Sequence, residues 1–265
     1  MNASLGTALV TGASSGIGAL YAERLAERGY DLILVARDRD RLNALATKIS
    51  GATGRSVDVL VADLANPADL AKVEATLRDN SRVTMLVNNA GVGTHTPLLG
   101  SDIDAMHKLI DLNVTAPTRL TYAAAPGFVA RGKGAIINIA SIVAIAPEIL
   151  NGVYGGSKAF LLAFSQSLKH ELGDKGVQVQ AVLPGATATE FWDVGGLPIE
   201  NLPASIVMRA EDLVDAALVG FDRGELVTIP SLHQGDEWQA YEAARQAMSQ
   251  HLSSDTVAQR YLVVA

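Results

Sequence analysis

Short runs of Val, Ile, Leu and Ala recur along the chain. They are separated by longer stretches in which apolar residues fall three and four positions apart. The first kind of run suits a strand buried on both faces, and the second suits a helix with one apolar face. Strands are predicted at 8–10, 31–35, 57–61, 85–87, 135–139, 178–182 and 226–229. Helices are predicted at 17–28, 38–50, 67–80, 102–131, 153–173 and 210–222, with a further one at 236–252. Regular alternation of this kind predicts an α/β fold, a doubly wound parallel sheet of about seven strands with helices on both faces. Residues 1–265 contain no Pro/Gly/Ser linker, so one Rossmann-like domain is expected. Periodicity fails over 185–205, and a long break like this is often a loop over a site.

Composition narrows the picture. Hydrophobic residues make up 49% of the 265 residues and charged residues 18%, as in ordinary globular proteins. A net charge of −7 argues against a nucleic-acid or anionic-membrane surface. There is no cysteine, which removes disulfides, thiol nucleophiles and zinc–thiolate sites. The five histidines have no ligand spacing, so no metal site is expected; His95 alone lies near a candidate substrate mouth. No export signal opens the chain, and no apolar run is long enough for a bilayer span. A cytoplasmic location is the expectation.

Two places carry candidate chemistry. The first strand runs into Gly12-Ala13-Ser14-Ser15-Gly16-Ile17-Gly18 and then a helix. Glycines at such a turn let backbone approach a phosphate, and the helix N-terminus offers free N–H groups. The spacing is not the general Gly-x-Gly-x-x-Gly, and a tight helix-capping turn has the same look. The second place is Tyr154 and Lys158, four apart at the start of a helix and therefore on one face. An ammonium beside a phenol favours the phenolate and lowers its ordinary pKa of about 10. Ser141, thirteen residues earlier at the end of a strand, adds a second hydroxyl.

These pieces, with Asp63-Leu64, Asn88-Asn89-Ala90-Gly91, Asn113 and Pro184-Gly185 followed by Thr187 and Thr189, stand in an order that resembles the short-chain dehydrogenase/reductase family over most of the chain. The resemblance implies an oxidoreductase that interconverts a ketone or aldehyde and an alcohol. It implies Tyr154 as proton donor and acceptor, Lys158 lowering its pKa and holding the nicotinamide ribose, and Ser141 steadying the carbonyl oxygen. It also implies that Asn113 would bend the long helix and hold a water in a proton relay towards the lysine. Gly12, Ser14, Ser15, Gly16, Ile17, Gly18, Asp63, Leu64, Asn88, Ala90, Gly91, Tyr154, Lys158, Pro184, Gly185, Thr187 and Thr189 would contact the cofactor, with Asn89 mainly structural.

Cofactor choice is read at the end of the second strand. An acid there binds the adenosine ribose of NAD. Here Ala36 cannot, and Arg37 follows, a planar donor suited to a 2′-phosphate. NADP is expected. Val143, Ala144, Ile145 and Leu150, between Ser141 and Tyr154, with Phe191 and Trp192 beyond Thr189, are expected to line an apolar substrate pocket. Trp238, Tyr241, Ala244 and Met248 repeat at helical spacing and suit either a far wall of the pocket or plain core or subunit interface. Apolar residues around the helix after Tyr154 suggest a homodimer or homotetramer. The alternative is an NADP(H)-sensing binding protein with little turnover.

Overall fold

A computed structural model describes residues 4–262. By internal contacts it forms two compact units, 1–230 and 231–265. The first unit opens with β1 (Thr7–Thr11), α1 (Gly16–Glu27), β2 (Asp31–Ala36), α2 (Arg39–Thr53), β3 (Val57–Val61), α3 (Pro67–Asp79) and β4 (Val83–Asn88). It continues with α4 (Ile103–Ile110), α5 (Ala116–Ala130), β5 (Gly134–Ile139), α6 (Gly152–Leu172) and β6 (Val177–Val182). It closes with β7 (Thr187–Ala188), α7 (Phe191–Val194), β8 (Met208–Arg209), α8 (Ala210–Asp222) and β9 (Val227–Thr228). The second unit carries α9 (Gly235–Ser249), in which the Trp238 and Tyr241 rings stack at 5.3 Å.

Seven of these strands form one parallel sheet in the order β3-β2-β1-β4-β5-β6-β9. Alternate residues of each strand feed opposite layers. Ala8, Val10, Leu32 and Leu34 pack with Tyr21 and Leu25 of α1, Leu42 and Ile49 of α2, and Leu213 and Leu218 of α8. Leu9, Ile33, Val35 and Leu86 pack with Leu70 and Leu77 of α3, Leu120 and Phe128 of α5, and Leu168 of α6. Both faces are covered, which is why the strands read as unbroken apolar runs. The order reverses between β1 and β4, and the crevice beyond their carboxyl ends is where this topology places a site.

The long helix expected over 102–131 runs from Ile103 to Ala130 with a π turn inside it. Residues Asp111–Thr115 form a π turn between α4 and α5, with the Ala116 N–H donating to the Asp111 carbonyl. The cause is Pro117. It has no N–H, so the carbonyl of Asn113 loses its normal partner four residues on. The 185–205 segment is more ordered than its sequence suggests. It leaves and returns through β7 and β8, paired at Thr187–Met208 and Ala188–Arg209, and carries the single-turn α7 between them.

Candidate active site

The turn after β1 is tightly built. Gly12 and Gly16 have φ of +64° and +53°, values that favour glycine. A Cβ on Gly12 would lie 2.8 Å from Asn89 Nδ2 and 2.9 Å from Ala90 Cα, and one on Gly16 would lie 3.2 Å from the Thr189 methyl. Asn89 Nδ2 donates to the carbonyls of Thr11 (2.9 Å) and Gly12 (3.2 Å), which joins this turn to the one after β4. The Thr11 hydroxyl donates to the Val87 carbonyl and accepts from the N–H groups of Asn89 and Ala90. Asn88 is buried and donates to Thr121 and Asn138. Helices α2, α3 and α4 have side-chain caps at Asp38, Asn66 and Asp102. At α1 Ser15 makes no such bond, so the first-turn N–H groups stay available to an anion. Ser14, Ser15, Gly16 and Ile17 are half-exposed around that opening, and Gly18 is buried beneath it.

At the end of β2, Ala36 offers no acid. Arg37 is exposed and, among the described residues, holds no ion pair. Asp38 is committed to the Arg41 N–H at 3.0 Å. Arg41 itself pairs with Glu190 at 2.6 Å. Asp63 accepts from the Ala65 N–H at 3.0 Å, and Leu64 is buried. These residues fit a dinucleotide: a glycine turn at an uncapped helix end, and a free guanidinium where an additional phosphate needs one.

The candidate reacting groups meet at the carboxyl ends of β4 and β5 and the start of α6. Asn151 caps α6, accepting from the N–H groups of Val153 and Tyr154, and its own amide donates to the Thr96 carbonyl and the Ser101 hydroxyl. That fixes the first turn, from which Tyr154 projects, with Lys158 one turn further on. Tyr154 is 5% exposed and sits on a small cluster of Met106, Leu109 and Val143. The Ser141 hydroxyl donates to the Pro184 carbonyl (3.4 Å), accepts from the Val143 N–H (3.3 Å) and lies near enough to the phenol to favour its charged form. Lys158 is also 5% exposed; its Nζ donates to the Ile139 carbonyl at 2.9 Å and lies 5.8 Å from the Tyr154 ring centroid. Asn113, in the π turn, accepts from the Val92 N–H at 3.0 Å and donates to the Val92 carbonyl (2.8 Å) and the Ser157 hydroxyl (3.1 Å). Ser157 donates in turn to the Tyr154 carbonyl at 2.7 Å. A Cβ on Gly91 would press on Asn113 Oδ1 at 3.1 Å and touch Lys158 Nζ at 3.4 Å, so this position lies against both polar groups. Ser157 was not singled out from the sequence, because a serine inside a helix is an ordinary residue until its partners are known.

Electrostatically the pair departs from the expectation. Burial pushes the Tyr154 phenol up to about 12, with Ser141 pulling the other way. Burial pushes Lys158 down to about 8. The ammonium was expected to lower the tyrosine, but it is turned to the Ile139 carbonyl, and the desolvation of the phenol wins. At neutral pH the site therefore holds a neutral phenol, the form that gives a proton, beside a lysine that is mostly charged.

Pro184, Gly185, Thr187 and Thr189 follow β6. The Pro184 carbonyl accepts from the Ile142 N–H at 3.0 Å, and the Thr187 hydroxyl donates to the Gly185 carbonyl at 3.1 Å. Of the expected substrate-pocket residues, Leu150, Phe191 and Trp192 line a depression beside Tyr154, joined there by Gly93, Thr94, His95, Gly195 and Leu197. Val143 is sealed beneath Tyr154 at 1% exposure, and Ala144 and Ile145 are half-buried away from that depression. Gly93 and Leu197 were not foreseen, since nothing in their local sequence ties them to a residue a hundred positions away.

Comparison with known proteins agrees with this geometry. A family model described as short chain dehydrogenase matches residues 6–194. A solved short-chain dehydrogenase from Sphingobium yanoikuyae, in complex with NADPH, is 51% identical; the alignment covers 97% of this chain and 100% of that one, with a TM-score of 0.95. A bulky-bulky ketone specific alcohol dehydrogenase from Comamonas testosteroni is 47% identical, over 98% of this chain and 99% of that one, with a TM-score of 0.90. Among curated relatives, the very-long-chain 3-oxoacyl-CoA reductase of Bos taurus is 36% identical over 188 residues, 69% of this chain; the match spans 60% of that protein's length. On the matched model and these relatives, the chain belongs to the short-chain dehydrogenase family.

Proposed function

We propose that this chain is an NADP(H)-dependent oxidoreductase that interconverts an apolar ketone or aldehyde and its alcohol, with Tyr154 as proton donor and acceptor. The observation that carries the reading is the convergence of Tyr154, Ser141, Lys158 and Asn113 at one end of the sheet, beside a glycine turn with an uncapped helix. When bound, NADP(H) supplies the hydride. The Tyr154 hydroxyl gives its proton to the substrate oxygen as charge develops there. Ser141 supports that oxygen with a second hydroxyl. Lys158 holds positive charge next to the phenol, and Asn113 fixes the π turn facing it. Arg37 is assigned to the 2′-phosphate, because the acid that would bind an unmodified ribose is missing and the guanidinium is free.

The neighbours support the same reading: one was solved with NADPH and another is named for bulky ketones. The apolar lining, Leu150, Phe191, Trp192 and Leu197, supports an apolar substrate. The proposal includes one catalytic domain, a cytoplasmic setting and a homodimer or homotetramer. Support for the assembly is the outward face of α5 and α6, where Tyr122 is 71% exposed, Ala163 is exposed and Phe160 stacks on Phe164 at 5.5 Å.

The test is NADPH consumption with a panel of ketones of equal size. Apolar ketones are expected to be reduced, and kcat/KM to rise several-fold per added methylene until the pocket is full, since each is worth about 0.8 kcal/mol. No consumption with any carbonyl compound, alongside tight NADPH binding, would favour a sensing protein instead.

A further inference from the structure

The space beside Tyr154 is filled by the protein itself. The Phe191 ring lies 6.1 Å from the Tyr154 ring at an interplanar angle of 44°, within the range of attractive aromatic pairs. Phe191 also rests on the bare backbone of Gly93. A Cβ there would lie 2.9 Å from Phe191 Cε1 and nearer still to Cζ, closer than carbon atoms pack. What stays open among Gly93, Leu150, Tyr154, Phe191 and Leu197 is about 10 Å³, scarcely room for one water. No aryl group fits in that space while the ring is in place. The ring is held by short-range ties that do not involve it: His95 Nδ1 donates to the Gly195 carbonyl at 2.9 Å, and Trp192 Nε1 donates to the Thr187 carbonyl at 2.9 Å. Its helix is a single turn, Phe191–Val194.

We propose that Phe191 is the specificity-determining residue of this site, that its ring stands where an aromatic substituent of the substrate goes, and that Gly93 is the position that makes room for either one. This rests on the ketone-reductase reading and names its substrate class: ketones with an aryl group on the Gly93 side of the carbonyl. A space that already packs a phenyl ring against a phenol and a glycine backbone matches a phenyl group in shape and in ring–ring contact. The Phe191 ring is then an internal competitor. An aryl ketone binds by displacing it, and a ketone with only small substituents does not reach it.

Two substitutions on the same space should have opposite signs. Phe191→Ala removes the competitor, and Gly93→Ala places a methyl where either ring must lie. The probes are acetophenone, cyclohexyl methyl ketone and acetone, titrated by calorimetry onto the full chain with and without NADP⁺, a pairing in which no reduction occurs. Phe191→Ala is expected to tighten acetophenone about tenfold and leave acetone within about twofold. Gly93→Ala is expected to weaken acetophenone by a similar factor, with acetone again unchanged. In the unsubstituted protein acetophenone should bind more tightly than cyclohexyl methyl ketone. If Phe191→Ala weakens acetophenone or leaves it unchanged, or if the cyclohexyl ketone binds better, the assignment is wrong. The Phe191→Ala titration decides this even if Gly93→Ala does not fold. Binding needs no turnover, so a protein that binds acetophenone as expected but consumes no NADPH overturns the reductase reading and not the subsite.

Discussion

Lys158→Met should make the protein more stable at neutral pH while removing its activity. The native ammonium is 5% exposed, with the Ile139 carbonyl as its hydrogen-bond partner, and burial lowers its pKa from 10.5 to about 8. Below pH 8 both folded and unfolded chains carry the proton, and folding bears the full cost of burying the charge. Between about 8 and 10.5 the unfolded chain binds more protons than the folded one, so this residue's contribution to stability rises with pH. Above 10.5 neither form is charged and the cost is gone. At about 1.4 kcal/mol for each tenfold, the gap from 10.5 to 8 comes to roughly 3 kcal/mol. Methionine is similar in length and carries no proton. Allowing for the lost hydrogen bond, Lys158→Met should be about 1–3 kcal/mol more stable than the parent at pH 7.5. That advantage should vanish by pH 10.5. Urea unfolding of both proteins at pH 7.5, 8.5, 9.5 and 10.5 measures the difference, in which Tyr154 and the other titrating groups largely cancel. A difference that does not change with pH, or a variant less stable at pH 7.5, would refute the reasoning.

Other consequences are equally direct. Arg37→Ala should weaken NADPH tenfold or more and leave NADH nearly untouched, because a hydrogen bond to a charged group is worth about 1.5–3 kcal/mol; equal losses in a binding titration would remove Arg37 from the phosphate. Light scattering at micromolar concentration should show a dimer or tetramer, and a monomer there would leave the exposed faces of α5 and α6 unexplained.

Much of this was legible in the residues. The strands could be read because both sheet faces are covered, so Leu32-Ile33-Leu34-Val35 needs no polar alternation. The glycine turn could be read because backbone at positive φ leaves few alternatives to glycine at Gly12 and Gly16. The π turn within the long helix carried a signal that periodicity overlooks, the missing N–H of Pro117. Other features could not be read. How deeply Tyr154 is buried depends on Met106, Leu109 and Val143 arriving from other segments, and that burial reverses the expected direction of its pKa. The contact of Phe191 with Gly93 joins residues almost a hundred positions apart, and neither has a local pattern that announces it.

The central claim is that Tyr154 supplies the proton for carbonyl reduction. Tyr154→Phe keeps the ring on its cluster and removes only the hydroxyl, so it isolates that role. NADPH consumption with a reducible apolar ketone is predicted to fall about 10²–10⁴-fold, while NADPH affinity stays within about twofold. A variant that keeps more than a tenth of the parent rate would contradict the account and place the proton donor elsewhere.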